Sequence, residues 1–170
     1  NASGPGLYAI FDTSMGQIVA RLLEDKAPET VRNFVDLATA AKESADASGT
    51  MVKKRFYDGL IFHRVIKGFM IQTGDVSGSG AGKCGVDPLP DEISDMRFSA
   101  PGRLAMANLG RPNSANCQIF ITVGPANHLN GAFTIFGVVA SGQDVADKIA
   151  GVQALRDRPL MPVILNKVTI

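Results

Sequence analysis

No stretch of eighteen apolar residues occurs in this chain, so it contains no candidate membrane-spanning helix. It also lacks the charged start, apolar run and cleavage site of a secretory signal. It begins Asn1-Ala2-Ser3-Gly4-Pro5 without an initiator methionine. Residues 1–6 therefore read as a flexible, processed or engineered start, and the compartment stays open between cytoplasm and export with a leader removed. Cysteine is scarce: Cys84 and Cys117 cannot make a disulfide-rich scaffold. One bridge between them is allowed, but two free thiols are expected. Charge of one sign is missing as well, since 17 basic and 16 acidic residues leave a formal net charge of +1. Nucleic-acid binders concentrate basic surface. The only short basic cluster, Lys53-Lys54-Arg55, reads as a solvated loop edge. Nothing favours a nucleic-acid partner, nothing designates an oligomer interface, and a monomer is expected.

Several chemical motifs are absent on inspection. In Gly78-Ser79-Gly80-Ala81-Gly82-Lys83-Cys84, a phosphate loop of the form GxxxxGK[ST] would need glycine at Ser77 and a hydroxyl residue at Cys84. The dinucleotide pattern GxGxxG breaks at Lys83. His63, Cys84, Cys117 and His128 lack the paired spacing of a metal nucleus, so no metal is expected. Cys117 or Ser114 with a histidine could be drawn as a nucleophile and base, but no nucleophile elbow supports it.

What is present is an ample core. A chain of 170 residues with 45% apolar content buries about two-thirds of its surface on folding and needs no metal or disulfide staple. Residues 7–170 read as one domain. Leu7–Phe11 and Gln17–Leu22 form a predicted hairpin around turn-forming residues 12–16. Pro28, with Val31, Phe34, Val35 and Ala38 at spacings of three and four, predicts a helix over 28–41. Residues 42–54 are polar and read as a surface loop or frayed helix extension. Further strands are predicted at 59–66, 69–72, 103–107, 118–122, 134–139 and 163–170, with a short second helix after Gly142. The sum is an all-β body of eight strands with two helices. Composition leaves barrel and sandwich open, although closure would remove exposed strand edges.

Three segments carry a more specific signal. They are Phe62-His63-Arg64-Val65-Ile66-Lys67-Gly68-Phe69-Met70-Ile71-Gln72-Thr73-Gly74-Asp75, then 102–108 (GRLAMAN), then Asn116–Thr122 with His128-Leu129-Asn130-Gly131 and Phe136–Val139. In this order they strongly resemble the cyclophilin family of peptidyl-prolyl cis-trans isomerases, over about Leu7 to Ile170. The resemblance implies a closed eight-stranded antiparallel β-barrel capped by helices, a substrate groove on its outer face, and no cofactor. Against compact bacterial-type members, 42–54 looks like a surface insertion.

The implied reaction breaks no covalent bond. Rotation about an Xaa-Pro peptide faces a barrier near 20 kcal/mol, and useful catalysis needs roughly 7 kcal/mol of preferential stabilisation of the twisted amide. The resemblance assigns that role to Arg64, whose guanidinium can donate to the prolyl nitrogen as it recovers its lone pair. It places Phe69, Met70, Phe120 and Leu129 in a proline pocket, although adjacent Phe69 and Met70 should point to opposite faces of a regular strand. Gln72 and Gln118 would orient the arginine and bind substrate backbone. Ala107 and Asn108 would line the groove, with His63 beside it in support. Two departures stand at the rim. His128 replaces the tryptophan with which many eukaryotic members grip cyclosporin, so weak binding of that drug is expected. Phe133 replaces a common histidine at the pocket edge. The implied partners are proline-containing peptides and unfolded or partly folded proteins, whose slow folding steps the enzyme would accelerate. The alternatives are a weakly catalytic or non-catalytic proline-peptide binding module, and a structural domain with an inert groove.

Overall fold

The alternating apolar residues at the start of the sequence fold into the expected hairpin. In the computed structural model, which describes residues 6–170, β1 (Tyr8–Thr13) and β2 (Gly16–Leu22) pair antiparallel from Tyr8–Arg21 to Thr13–Gly16. Of the start read at 1–6, all but Gly6 lies outside the described residues. Ala9, Phe11, Ile18, Ala20 and Leu22 alternate onto one buried face. Helix α1 (Pro28–Ala38) follows. Its first turn is capped from afar: the Glu92 carboxylate accepts from the N–H groups of Glu29 and Thr30 and from the Thr30 hydroxyl. The helix ends three residues before the expected Ala41. Thr39 returns both its N–H and its hydroxyl to the Val35 carbonyl, and Ala40 turns left-handed at φ +63°. Phe34 plugs the core, its ring 5.1–6.0 Å from those of Tyr57, Phe136 and Phe11.

Residues 42–54 are not a frayed helix. They form a small hairpin of β3 (Glu43–Ala45) and β4 (Met51–Lys53). The Asp46 carboxylate shapes its turn by accepting the N–H groups of Ser48 and Thr50, and the Ala45 N–H ties it to the Cys84 carbonyl at 2.7 Å. Those polar turn residues hid the strands. The predicted strand 59–66 is also divided, into β5 (Leu60–Ile61) and β6 (Arg64–Ile66). The segment changes neighbour midway: Phe62 donates to Val163, whereas Val65 donates to Asp157.

The remaining elements are β7 (Met70–Thr73), β8 (Arg103–Met106), β9 (Ile119–Thr122), β10 (Ile135–Ser141), α2 (Gln143–Ala150), β11 (Ala154–Leu155), β12 (Arg158–Pro159) and β13 (Ile164–Thr169). The fold is mostly β with two helices, as expected. One antiparallel sheet curls through nine strands in the order β5-β13-β1-β2-β10-β8-β9-β7-β6. Its two outermost strands, β5 and β6, are consecutive in the chain and joined by Phe62-His63. The β11–β12 hairpin stands apart from that ladder.

Cys84 and Cys117 are joined in a disulfide, which corrects the expectation of two free thiols. Sequence spacing carried no hint of it. The fold lays the end of the glycine-rich segment against the start of β9, with the two Cα atoms 6.5 Å apart and both residues buried. The bridge closes a loop of 33 residues, so replacing both cysteines with serine is expected to lower unfolding stability by about 2–4 kcal/mol. Denaturant titration of the oxidised and double-serine proteins measures this. Thiol quantification in denaturant without reductant should find no free thiol.

Candidate active site

Four neighbouring strands carry apolar side chains on both faces. Ile71, Leu104, Met106, Ile119, Ile121 and Phe136 point into the main core. The intervening residues Met70, Ala105, Phe120 and Ile135 join Phe98 and Ala126 in a second cluster on the opposite face. Phe69, Ala107, Leu129 and Phe133 pack against that second cluster while remaining partly buried. Above them opens a cleft of about 370 Å³.

Every expected groove residue except His63 and Gln118 lines this cleft. Phe69, Met70, Phe120, Leu129 and Phe133 form apolar walls; Arg64, Gln72, Ala107, Asn108 and His128 complete the lining, with Gly110. The opposed directions expected for Phe69 and Met70 do not arise. Phe69 precedes β7 and sits in a turn, where Gly68 has φ +76° and the Phe69 N–H returns to the Ile66 carbonyl. The strand alternation begins only at Met70. Phe120 is held between two rings, parallel to Phe98 at 6.0 Å and edge-on to Phe133 at 5.7 Å. His128 lies 5.4 Å from the Phe69 ring. The Asn108 side chain fastens the adjoining loops, donating to the Ala132 carbonyl and accepting from the Gly110 N–H.

The cation at the cleft edge is held by amides. Arg64 pairs with Gln72 across β6 and β7 and donates from Nη1 to Gln72 Oε1 at 3.5 Å. Gln72 donates through Nε2 to Gln118 Oε1 at 2.8 Å, and Gln118 Nε2 donates to the Gly80 carbonyl at 3.1 Å. No carboxylate pairs with Arg64 among the described residues. Gln118 thus lies behind the cleft as a support.

That chain ends in the segment that resembled a phosphate loop. Its N–H groups do surround an anion, but the anion is the Asp75 carboxylate. Ser77, Gly80 and Gly82 donate backbone N–H groups to it, and the Ser77 hydroxyl adds a fourth bond. Burial alone would raise the Asp75 pKa; those hydrogen bonds outweigh it and hold the value below the ordinary one. Gly82 is required by space, because a Cβ there would lie 2.1 Å from Asp75 Oδ1.

Phe98, Ala105, Ala126 and Ile135 support the cleft and were not singled out from sequence. Phe98 offered one signal, as a lone aromatic in the polar stretch 86–102. It is fixed by its N–H bond to Asn130 Oδ1 at 2.7 Å.

The family model described as "Cyclophilin type peptidyl-prolyl cis-trans isomerase/CLD" matches residues 8–170. The chain belongs to the cyclophilin family. Members of this family are isomerases, and the same activity is stated for the curated relatives of this cyclophilin. Peptidyl-prolyl cis-trans isomerase B of Streptomyces anulatus is 44% identical, covering 96% of each chain. The probable peptidyl-prolyl cis-trans isomerase A of Mycobacterium leprae is 43% identical over 95% of this chain and 91% of its own. A Cryptosporidium parvum cyclophilin-type isomerase, crystallised in the presence of the dipeptide Ala-Pro, superposes with a TM-score of 0.82 at 26% identity. That match covers 96% of this chain and 98% of that one.

His63 lies beyond Arg64, in an adjoining cleft of about 600 Å³ that shares Arg64 and Gln72 with the first. It is buried, with no hydrogen-bond partner at Nδ1. Burial lowers its pKa, Arg158 and Arg64 act in the same direction, and Asp75 opposes them. On acidification the unfolded chain takes up the proton first. Neutral His63 therefore contributes stability above about pH 6.5, and that contribution is lost as pH falls through the folded-state midpoint. An NMR titration of this cyclophilin should place the His63 midpoint below 6.5.

Proposed function

We propose that this cyclophilin accelerates Xaa-Pro rotation by seating the proline ring against Phe120, Met70, Leu129 and Phe133 while Arg64 stabilises the twisted amide. The observation that carries this reading is the placement of one guanidinium, without a carboxylate counter-ion, at the edge of an apolar cleft. A pyrrolidine ring offers no N–H to recognise, so apolar walls suit it. As the peptide twists, the prolyl nitrogen loses resonance and becomes a better acceptor. A donor that strengthens its bond at that point lowers the barrier more than it stabilises either planar isomer. The amide chain through Gln72 and Gln118 holds the guanidinium without neutralising it. Ala107 and Asn108 provide the floor for the residue before proline, and His63 supports Arg64 from the far side. Residues 7–170 act as one isomerase domain, the 43–53 hairpin being its surface insertion. Its clients are exposed Xaa-Pro segments of peptides and of folding chains.

Arg64→Ala is expected to reduce kcat/KM for a short Xaa-Pro peptide by about 10²–10³-fold, the scale of losing one preorganised donor. Arg64 is exposed, so thermal unfolding should stay nearly unchanged. Equilibrium NMR exchange or a protease-coupled assay at low temperature reads the rate. A folded wild-type protein that binds proline peptides without accelerating their isomerisation would instead be a binding module.

The rim gives a second test. His128→Trp adds apolar ring area beside Phe69, and cyclosporin affinity should rise by about tenfold, the effect of roughly 1.4 kcal/mol. Isothermal titration of both proteins compares them directly.

A further inference from the structure

We propose that the adjoining cleft is an acidic-residue subsite, which gives this enzyme a preference for proline peptides carrying a glutamate or aspartate near the Xaa-Pro bond. The inference rests on the isomerase reading of the first cleft and extends it to substrate choice. Three arginines, Arg64, Arg156 and Arg158, line the adjoining cleft, and no aspartate or glutamate does. The concentration is local, since the whole chain carries a formal net charge of only +1.

The nearby acids are engaged or turned elsewhere. Asp75 is consumed by the N–H groups of its own loop. Asp157 lies between Arg156 and Arg158 in sequence, yet it is not among the residues lining the cleft. Both salt bridges among the described residues lie elsewhere, at Lys26–Asp95 and Arg55–Asp58.

The cationic wall is also held in place. Arg156 and Asp157 form the turn of the β11–β12 hairpin, at φ +51° and +66°. That hairpin is pinned twice: the Val65 N–H donates to the Asp157 carbonyl at 2.7 Å, and Arg158 Nη1 donates to the Gly78 carbonyl. Arg158 thereby ties the hairpin to the Asp75 loop, while the Arg156 side chain has no hydrogen bond or ion pair among the described residues.

A peptide is the occupant favoured over a free anion because the two clefts adjoin and share two lining residues. Arg64 and Gln72 line both, so a chain with its proline in the first extends past Arg64 into the second. Leu155, 67% exposed, gives that extended chain an apolar contact on the hairpin.

The test is a set of Xaa-Pro peptides with a single Glu or its Gln counterpart at each flanking position, on both sides of the proline. Catalysed exchange is measured by NMR for the wild-type protein and for Arg156→Gln. At one position or more, kcat/KM for the Glu peptide should exceed that for Gln by about two- to fivefold, the range of open charge pairs. The Glu/Gln ratio should fall toward one in Arg156→Gln and also in 0.5 M salt, where the Debye length is only a few ångströms. Equal rates for Glu and Gln at every position, with catalysis intact, would overturn the subsite alone. So would a Glu preference that survives in Arg156→Gln. No acceleration of even the neutral peptides would overturn the isomerase reading on which it rests.

Discussion

The architecture of the site depends on burial of one patch of sheet from both sides. Strands β7, β8, β9 and β10 cannot present an ordinary wet outer face, because Met70, Ala105, Phe120 and Ile135 face outward. Something must cover them, and Phe98, Ala126, Leu129 and Phe133 do so incompletely. The uncovered remainder is the cleft. Lining and packing therefore meet in the same side chains: Phe120 is both a wall of the cleft and a ring packed between Phe98 and Phe133. Side chains set on hydrogen-bonded strands hold their geometry better than side chains on loops.

Polar organisation runs in the other direction, from a buried carboxylate outward. Asp75 gathers the glycine-rich loop, the loop presents the Gly80 carbonyl, and Gln118 and Gln72 relay that position to Arg64. Each link is an amide or a backbone group, so none of them neutralises the cation. The disulfide fastens the loop a second time, at Cys117, the residue before Gln118. Arg158 fastens it a third time at Gly78.

Much of this was legible in the sequence. The period of the strands, the apolar stripe of α1 and the ordered string around His63-Arg64 led to the fold class and to a groove-residue set that largely shares one cleft. The failures have physical causes. Phe69 and Met70 conflicted only because a turn was read as strand, and the turn follows from the conformation of Gly68. The glycine-rich segment, which the sequence excludes as a phosphate loop, still gathers its N–H groups around an anion, the Asp75 carboxylate a few residues upstream. The 43–53 hairpin was hidden by its own turn residues. Phe98 and the cysteine bridge depend on contacts between segments distant in the chain, which no local pattern encodes.

The pairing of β1 with β13 has a consequence for how the molecule is made. Ile10 lies opposite Thr169, and Phe11 opposite Val168, so a strand from the first tenth of the chain has one of its two neighbours among the final residues here. During synthesis β1 and β2 can meet early, but the other edge of β1 must wait until residues 164–169 have left the ribosome. Until then that edge is an exposed template for the wrong strand. The chain thus passes through an interval of exposed strand edge during its own synthesis, and pairing of β1 with residues 164–169 ends it.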